Sequence, residues 1–216
     1  LNFGQQPLAN RFLDSTSSEC NNETHGLALG LCNNCGIIQL TERMPVEAIR
    51  PRFDWLIYNE PEEHLDDVVA NLITLPGIGS NSKVLGTTYK DKSVLTRLEQ
   101  LGVTFIDHIR ESDLKESQHP FGLETIQCLL QDKAILNNLK KRYEKVDLLV
   151  VRHILEHSSS VRSLLTNMSE LIKPDGYIMF EIPDSSHIFQ ADNYSFIWEE
   201  HISYFTESAI GKIANS

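Results

Sequence analysis

Basic residues are scarce in this chain. Nineteen Lys and Arg stand against 30 Asp and Glu in 216 residues, a formal net charge of −11. A surface with that deficit does not gather phosphate backbones, so non-specific nucleic-acid binding is not an expected function. Long apolar runs are missing too. The longest, around Val146–Leu155, is interrupted by Asp147, Arg152 and His153, whereas a bilayer-crossing helix needs about 20 consecutive apolar residues; no membrane partner is expected. The opening LNFGQQPLAN lacks a charged segment leading into an apolar one, so no secretory signal is read and the cytoplasm is the expected compartment. Cysteine is limited to four residues, two of them close together as Cys32 and Cys35. That is no disulfide framework, and a C-x-x-C in such a chain is more often a metal or redox pair. What remains, 41% hydrophobic and 23% charged residues, is ordinary globular composition. Because the chain begins at Leu1 and Ala209–Ser216 reads as an unfinished helix, neighbouring segments are expected on both sides.

Residues 1–45 are rich in Asn, Ser, Gly and Cys, with short apolar runs. Leu27–Leu31 and Ile37–Leu40 read as strands on either side of the Cys32–Cys35 turn. So small a segment needs a staple, and zinc is the usual intracellular one. Residues 46–79 read as a helical linker: Pro61 and the acids of Glu60–Asp67 suit a first helical turn, Leu65, Val68, Val69 and Leu72 form one stripe, and PGIGSNS at 76–82 closes it. Residues 80–216 alternate strand and helix. Strands are expected at Lys83–Thr87, Val103–Ile106, Glu124–Leu130, Val146–Val151 and Tyr177–Ile182, with helices at Ser93–Leu101, Ala134–Tyr143 and Val161–Ile172, the last stopped by Lys173–Gly176. Such alternation implies a parallel α/β sheet covered by helices, a Rossmann-like class.

Ligands of an open α/β sheet sit beyond the carboxyl ends of its strands. That rule selects the turn Gly86–Asp91, then Asp107, then the run from Arg152 through His153 to His157, and then Asp184. Asp107 lies 21 residues beyond Gly86, at the end of the next strand, where an acid can accept both ribose hydroxyls of a nucleoside cofactor; a loop carboxylate is the plain alternative. The first turn has one glycine where nucleotide-binding turns commonly have two or three. His153 and His157 are four apart and would share a helix face able to hold a metal, although substrate-facing or merely polar positions fit them better. The stretch Phe196–Phe205 sets Glu199, Glu200 and His201 among aromatics. This is an arrangement that orients a general base, or alternatively a helix start with a core aromatic stripe.

Four stretches then carry a resemblance: QPLANRFL (6–13), GLALGLCNNCGIIQL (26–40), VDLLVVRHILEHSSSV (146–161) continuing to LIKPDGYIMFEIPD (171–184), and WEEHISYF (198–205). In this order they resemble the S-adenosylmethionine (SAM)-dependent sugar C-methyltransferases, which join an N-terminal zinc-binding domain to a class I methyltransferase fold. The resemblance implies His201 as the base, with Glu200, His157 and Tyr58 near the acceptor. It also implies SAM at Gly86, Asp91, Asp107 and His153, and Cys32 and Cys35 as one zinc-ligand pair whose partners precede residue 1. Cys20 and His25 offer an in-chain completion of that set. The implied substrate is a keto sugar carried on a nucleotide. The sequence departs from the family where Trp198 and Glu199 replace a tyrosine and a histidine, and where Lys90 and Lys92 replace glycines. Two other readings follow from those departures: a methyltransferase-like binding module, and O- or N-methylation of a different acceptor.

Overall fold

A computed structural model describes residues 1–9, 24–49, 61–114, 123–190 and 193–214. The strands are β1 (Asn2–Pro7), β2 (Thr24–Leu31), β3 (Ile38–Leu40), β4 (Lys83–Gly86), β5 (Phe105–His108), β6 (Val146–Arg152), β7 (Ile172–Glu181) and β8 (Ser203–Tyr204). The α-helices are α1 (Val46–Ile49), α2 (His64–Leu72), α3 (Lys92–Gln100), α4 (Leu123–Leu130), α5 (Lys133–Tyr143), α6 (Val161–Ser169), α7 (Ser186–Gln190) and α8 (Glu207–Ala214). The chain divides into two units: residues 1–57 with 156–158 and 182–216, and residues 58–155 with 159–181. The sequence suggested cuts near 45 and 79. Chain contacts group the C-terminal segment with the N-terminal one.

The second unit holds a four-stranded parallel sheet in the order β5-β4-β6-β7. Central β6 is buried along nearly its whole length, as a parallel strand covered on both faces must be. Leu148 and Val150 of β6, Val84 of β4, and Leu65, Val69, Val94 and Leu98 of α2 and α3 form one apolar cluster. The stripe on α3 forms because apolar residues recur every three to four positions. Gly102, at φ +91°, then takes the left-handed conformation that ends a helix at little cost for glycine.

Three expectations fail here, each for a local reason. Glu124–Leu130 is helical, not a strand: Ile126, Leu129 and Leu130 are buried at helical spacing, and a short apolar run does not distinguish the two periods. Pro61 precedes the first turn of α2, which starts at His64. Lys173–Gly176 does not separate helix from strand; β7 starts at Ile172 and passes through it with a register shift against β6. Gly176 permits that irregularity, since a Cβ there would lie 3.0 Å from the Asp147 carbonyl oxygen and 3.1 Å from that of Val146.

In the first unit an antiparallel sheet runs β1-β2-β3-β8. Its last strand comes from the far end of the chain: Ile38 pairs with Tyr204 and Gln39 with Ser203. Leu29, Leu40, Ile197 and Tyr204 form its core, with Phe3, Ile188 and Phe189 packed against them. The Tyr204 hydroxyl accepts from Trp198 N at 2.8 Å and donates to the Trp198 carbonyl at 3.1 Å. Burial, with the Glu199 charge adding to it, pushes this phenol far above its ordinary range, so it stays protonated as the clamp requires.

Candidate active site

Strand order reverses direction around β4, because β5 follows on one side and β6 on the other. The crevice beyond the carboxyl ends of β4 and β6 is therefore the topological switch point at which ligands of such sheets bind. Two runs of sequence meet there, the turn after β4 and the end of β6.

Asp91 organises that turn from inside. It is fully buried. One carboxylate oxygen accepts from Thr87 N at 2.6 Å, Thr88 N at 2.7 Å and the Thr87 hydroxyl at 2.9 Å; the other accepts from Arg152 N at 2.9 Å. Desolvation pushes its pKa up to about 6 against the pull of the Thr88 and Thr87 donors. The folded protein thus holds the Asp91 proton more tightly than the unfolded chain, whose reference is 3.8. Its contribution to stability is present below that reference and is lost as pH rises through about 6. At 1.36 kcal/mol per unit this is on the order of 3 kcal/mol. In chemical denaturation, the stability advantage of wild type over Asp91→Asn should therefore shrink as pH rises from about 4 to about 6; a difference flat across that window would refute this account.

Gly86 has a packing role. A Cβ on it would meet Leu95 Cδ1 at 2.8 Å and Asp91 Cβ at 3.1 Å, so its bare Cα lets α3 close on β4. Where glycines were missing from the turn, the chain supplies its own fastening. The Arg152 guanidinium donates to the Lys90 carbonyl. Arg152 is 1% exposed; its Nε donates to Glu181, and its Nη1 donates to Glu62 at 3.1 Å. Glu181 also meets His64 at 3.0 Å and His153 at 3.6 Å. Burial alone would raise the Glu181 pKa, but the nearby His153 and the bonds and charge of Arg152 hold it well below the carboxylate range. His153, at φ +54°, leaves the strand in a conformation uncommon for a non-glycine residue. Asp107 stands at the carboxyl end of β5, with its side chain 45% exposed and paired with Arg110 at 3.3 Å.

His153 and His157 do not form a shared helix face. Only Leu155–His157 makes a short 3-10 turn, and the two histidines fall in different units. In the first unit His157 lies beside His201, their rings 4.9 Å apart and edge-on. Trp198 and Tyr204 flank His201 with ring centroids at 5.3 and 6.2 Å. These aromatics come from a loop and a two-residue strand, not from the stripe of a helix. His157 Nδ1 lies 2.9 Å from the Glu200 carbonyl oxygen. A carbonyl can only accept, so Nδ1 carries the hydrogen and Nε2 is left to act. Glu199 faces elsewhere: its carboxylate accepts from Ala9 N at 3.2 and 3.4 Å. Tyr58 and Cys20 lie outside the described residues.

The sequence selected Arg152 and Glu156 only as members of the run after β6, without a role, and gave none to Glu62 or Glu181. The partners of Arg152 lie far from it in the chain, Glu62 ahead of α2 and Glu181 at the end of β7. Glu156, 2% exposed, has a carboxylate oxygen that lies, with nitrogens of His157 and His201, in a group whose donor atoms are all within 4.8 Å of one another. Its position between two flagged histidines was the available signal.

The C-x-x-C turn has the form of a metal knuckle. Cys32 N donates to the Ile37 carbonyl and Gly36 N to the Cys32 carbonyl, both at 2.8 Å, with Gly36 at φ +82°. The main-chain N–H groups of Cys35 and Asn34 lower the Cys32 thiol pKa, favouring the thiolate that zinc requires. Cys32 and Cys35 thus fit half of a zinc site.

The strand order makes this an open parallel α/β sheet of the Rossmann-like class, with its ligand crevice at the switch point beyond β4 and β6. The chain belongs to the methyltransferase domain family, whose model matches residues 100–216, and which uses SAM. A family model described as a zinc binding domain matches residues 1–49. Among curated proteins, the C-methyltransferase NovU of Streptomyces niveus is 19% identical over 208 residues, covering 95% of this chain and 49% of that protein. The chain thus spans about half the length of this relative. No helix among the described residues is long and apolar enough to cross a membrane.

Proposed function

We propose that this chain is the catalytic part of a SAM-dependent C-methyltransferase acting on a keto sugar carried by a nucleotide, with His201 as general base. The observation carrying the reading is the His201–His157 pair set among Trp198 and Tyr204, in a chain belonging to a methyltransferase family and matching a C-methyltransferase. Gly86, Asp91, Asp107 and His153 would hold SAM, whose sulfonium would supply an electrophilic methyl group and, as its S–CH3 bond breaks, leave as the neutral thioether. His201 takes the proton from the carbon beside the keto group, and that carbon, now an enolate, is the nucleophile. His157, with its Nδ1–H committed to the Glu200 carbonyl, offers Nε2 to the acceptor and keeps the Glu200 segment in register. Glu200 completes the acceptor side. Buried, fixed polar groups of this kind lower a barrier chiefly by being oriented in advance. Zinc at Cys32 and Cys35, completed by further ligands, is structural, and the cytoplasm is the compartment that suits the thiols.

One observation favours a second reading, a binding module with an eroded cofactor turn. The Thr87 and Thr88 N–H groups and the Lys90 carbonyl are engaged by Asp91 and Arg152. Calorimetry with SAM on the whole protein separates the two, and mass spectrometry of the methylated product follows. Saturable binding and a new C–CH3 group support the first reading; an O- or N-methylated product reassigns the acceptor. No SAM binding overturns it in favour of the module.

A further inference from the structure

We propose that Glu156, His157 and His201 form a second metal site, distinct from the cysteine pair, which takes a zinc-class divalent ion. The three side chains offer one carboxylate oxygen and two imidazole nitrogens, all within 4.8 Å of one another. Donors on one tetrahedral zinc, at bond lengths of about 2.0–2.1 Å, lie about 3.3 Å apart. The most widely separated pair must therefore approach by up to about 1.5 Å for one ion to bridge the set. Two imidazoles and a carboxylate are a borderline-soft set that suits zinc or cobalt and leaves a fourth position open.

Two further features point the same way. Glu156 and His157 are 2% and 4% exposed, and in such a shielded place a carboxylate attracts a cation more strongly than it would in water. The His157 contact to the Glu200 carbonyl, at 2.9 Å, is the outer-sphere bond that metal-binding histidines make: it fixes the tautomer and leaves the other nitrogen's lone pair for the ion. No thiol belongs to the set, so its ion is chemically distinguishable from one bound at Cys32 and Cys35.

The site does not depend on the methyl-transfer reading, but it bears on it. An ion there occupies the His201 lone pair that a general base needs, so it inhibits proton abstraction rather than assisting it. The chain thereby carries a sensitivity to free zinc-class ions built into the same side chains that would do the chemistry.

Cobalt(II) titration of the whole protein tests this. Thiolate-bound cobalt shows an intense sulfur-to-metal band in the near ultraviolet, and a nitrogen/oxygen site shows visible d–d absorption without it. The expected result is one equivalent of the second kind beyond the thiolate-bound ion. Glu156→Gln and, as an independent check, His157→Gln should each weaken that equivalent by about 100-fold or more, with circular dichroism verifying the fold. Wild-type cobalt bound only at thiolates overturns the proposal, as does an oxygen/nitrogen equivalent that both folded variants retain at full affinity. Methyl transfer by a protein with no such equivalent sinks this inference alone, whereas cobalt binding without SAM binding sinks only the proposed reaction.

Discussion

Replacing His201 with alanine should lower methyl transfer by about 100- to 10,000-fold, the usual contribution of a positioned base, while leaving SAM affinity unchanged. The two effects separate because His201 lies in the unit built from the chain ends, whereas the turn fastened by Asp91 and Arg152 lies in the other. The ring is held among Trp198, Tyr204 and His157, so alanine removes the proposed base and leaves the clamp between Tyr204 and the Trp198 backbone in place. Single-turnover rates and SAM calorimetry on the same preparation give both quantities. A variant that keeps its rate, or loses SAM binding along with it, would show that His201 is not the base. Exchange of the acceptor's α-hydrogen with solvent deuterium, measured without SAM, should vanish in the same variant.

Arg152→Met should be the most damaging single change in the parallel-sheet unit, at about 3–5 kcal/mol, because it strips a buried cation from its carboxylates. Arg152 is enclosed, and Glu181 keeps only 17% of its side-chain surface, so solvent replaces the lost partner only in part. Two further consequences follow. Glu181 loses one of the influences that keep it ionised at low pH. Its depressed pKa contributes stability above the unfolded value of 4.5 that is lost as pH falls toward the folded one. Without Arg152 the folded pKa rises, so that loss should occur at higher pH. The Lys90 carbonyl also loses its donor, and SAM affinity should drop with it. Denaturant unfolding of Arg152→Met, Glu181→Gln and the double variant reads the coupling. If the effects simply add, the pair is not the fastening described here.

Much of the parallel sheet was legible because its signals are local. The run VDLLVV is rich in β-branched valine, which favours a buried strand over a helix, and the α3 stripe ending at Gly102 marks a helix in both pattern and cap. The misreadings are equally physical. TIQCLL holds too few residues for its period to declare itself, so α4 looked like a strand. Pro174 and Gly176 have turn chemistry, yet β7 runs through them because the bare glycine lets the backbone approach β6. A strand of two residues, Ser203–Tyr204, has no period at all; only pairing with Ile38 and Gln39 creates it. At the candidate site, His201 and His157 were marked by their neighbours in sequence. The buried state of Arg152 follows from Glu62 and Glu181, which lie 90 and 29 residues away and leave no local trace.

The pairing of β3 with β8 also sets a schedule. Gln39 donates to the Ser203 hydroxyl across 164 residues of chain, and contacts of that span are slow to form because the loop must be closed before any pairing offsets its entropy. His201 stands two residues before β8, and its neighbour Tyr204 is part of it. During synthesis the N-terminal strands emerge with one edge waiting, and that edge is filled only when almost all of these residues have left the ribosome. The proposed base is therefore assembled only after β1, β2 and β3 have long been made.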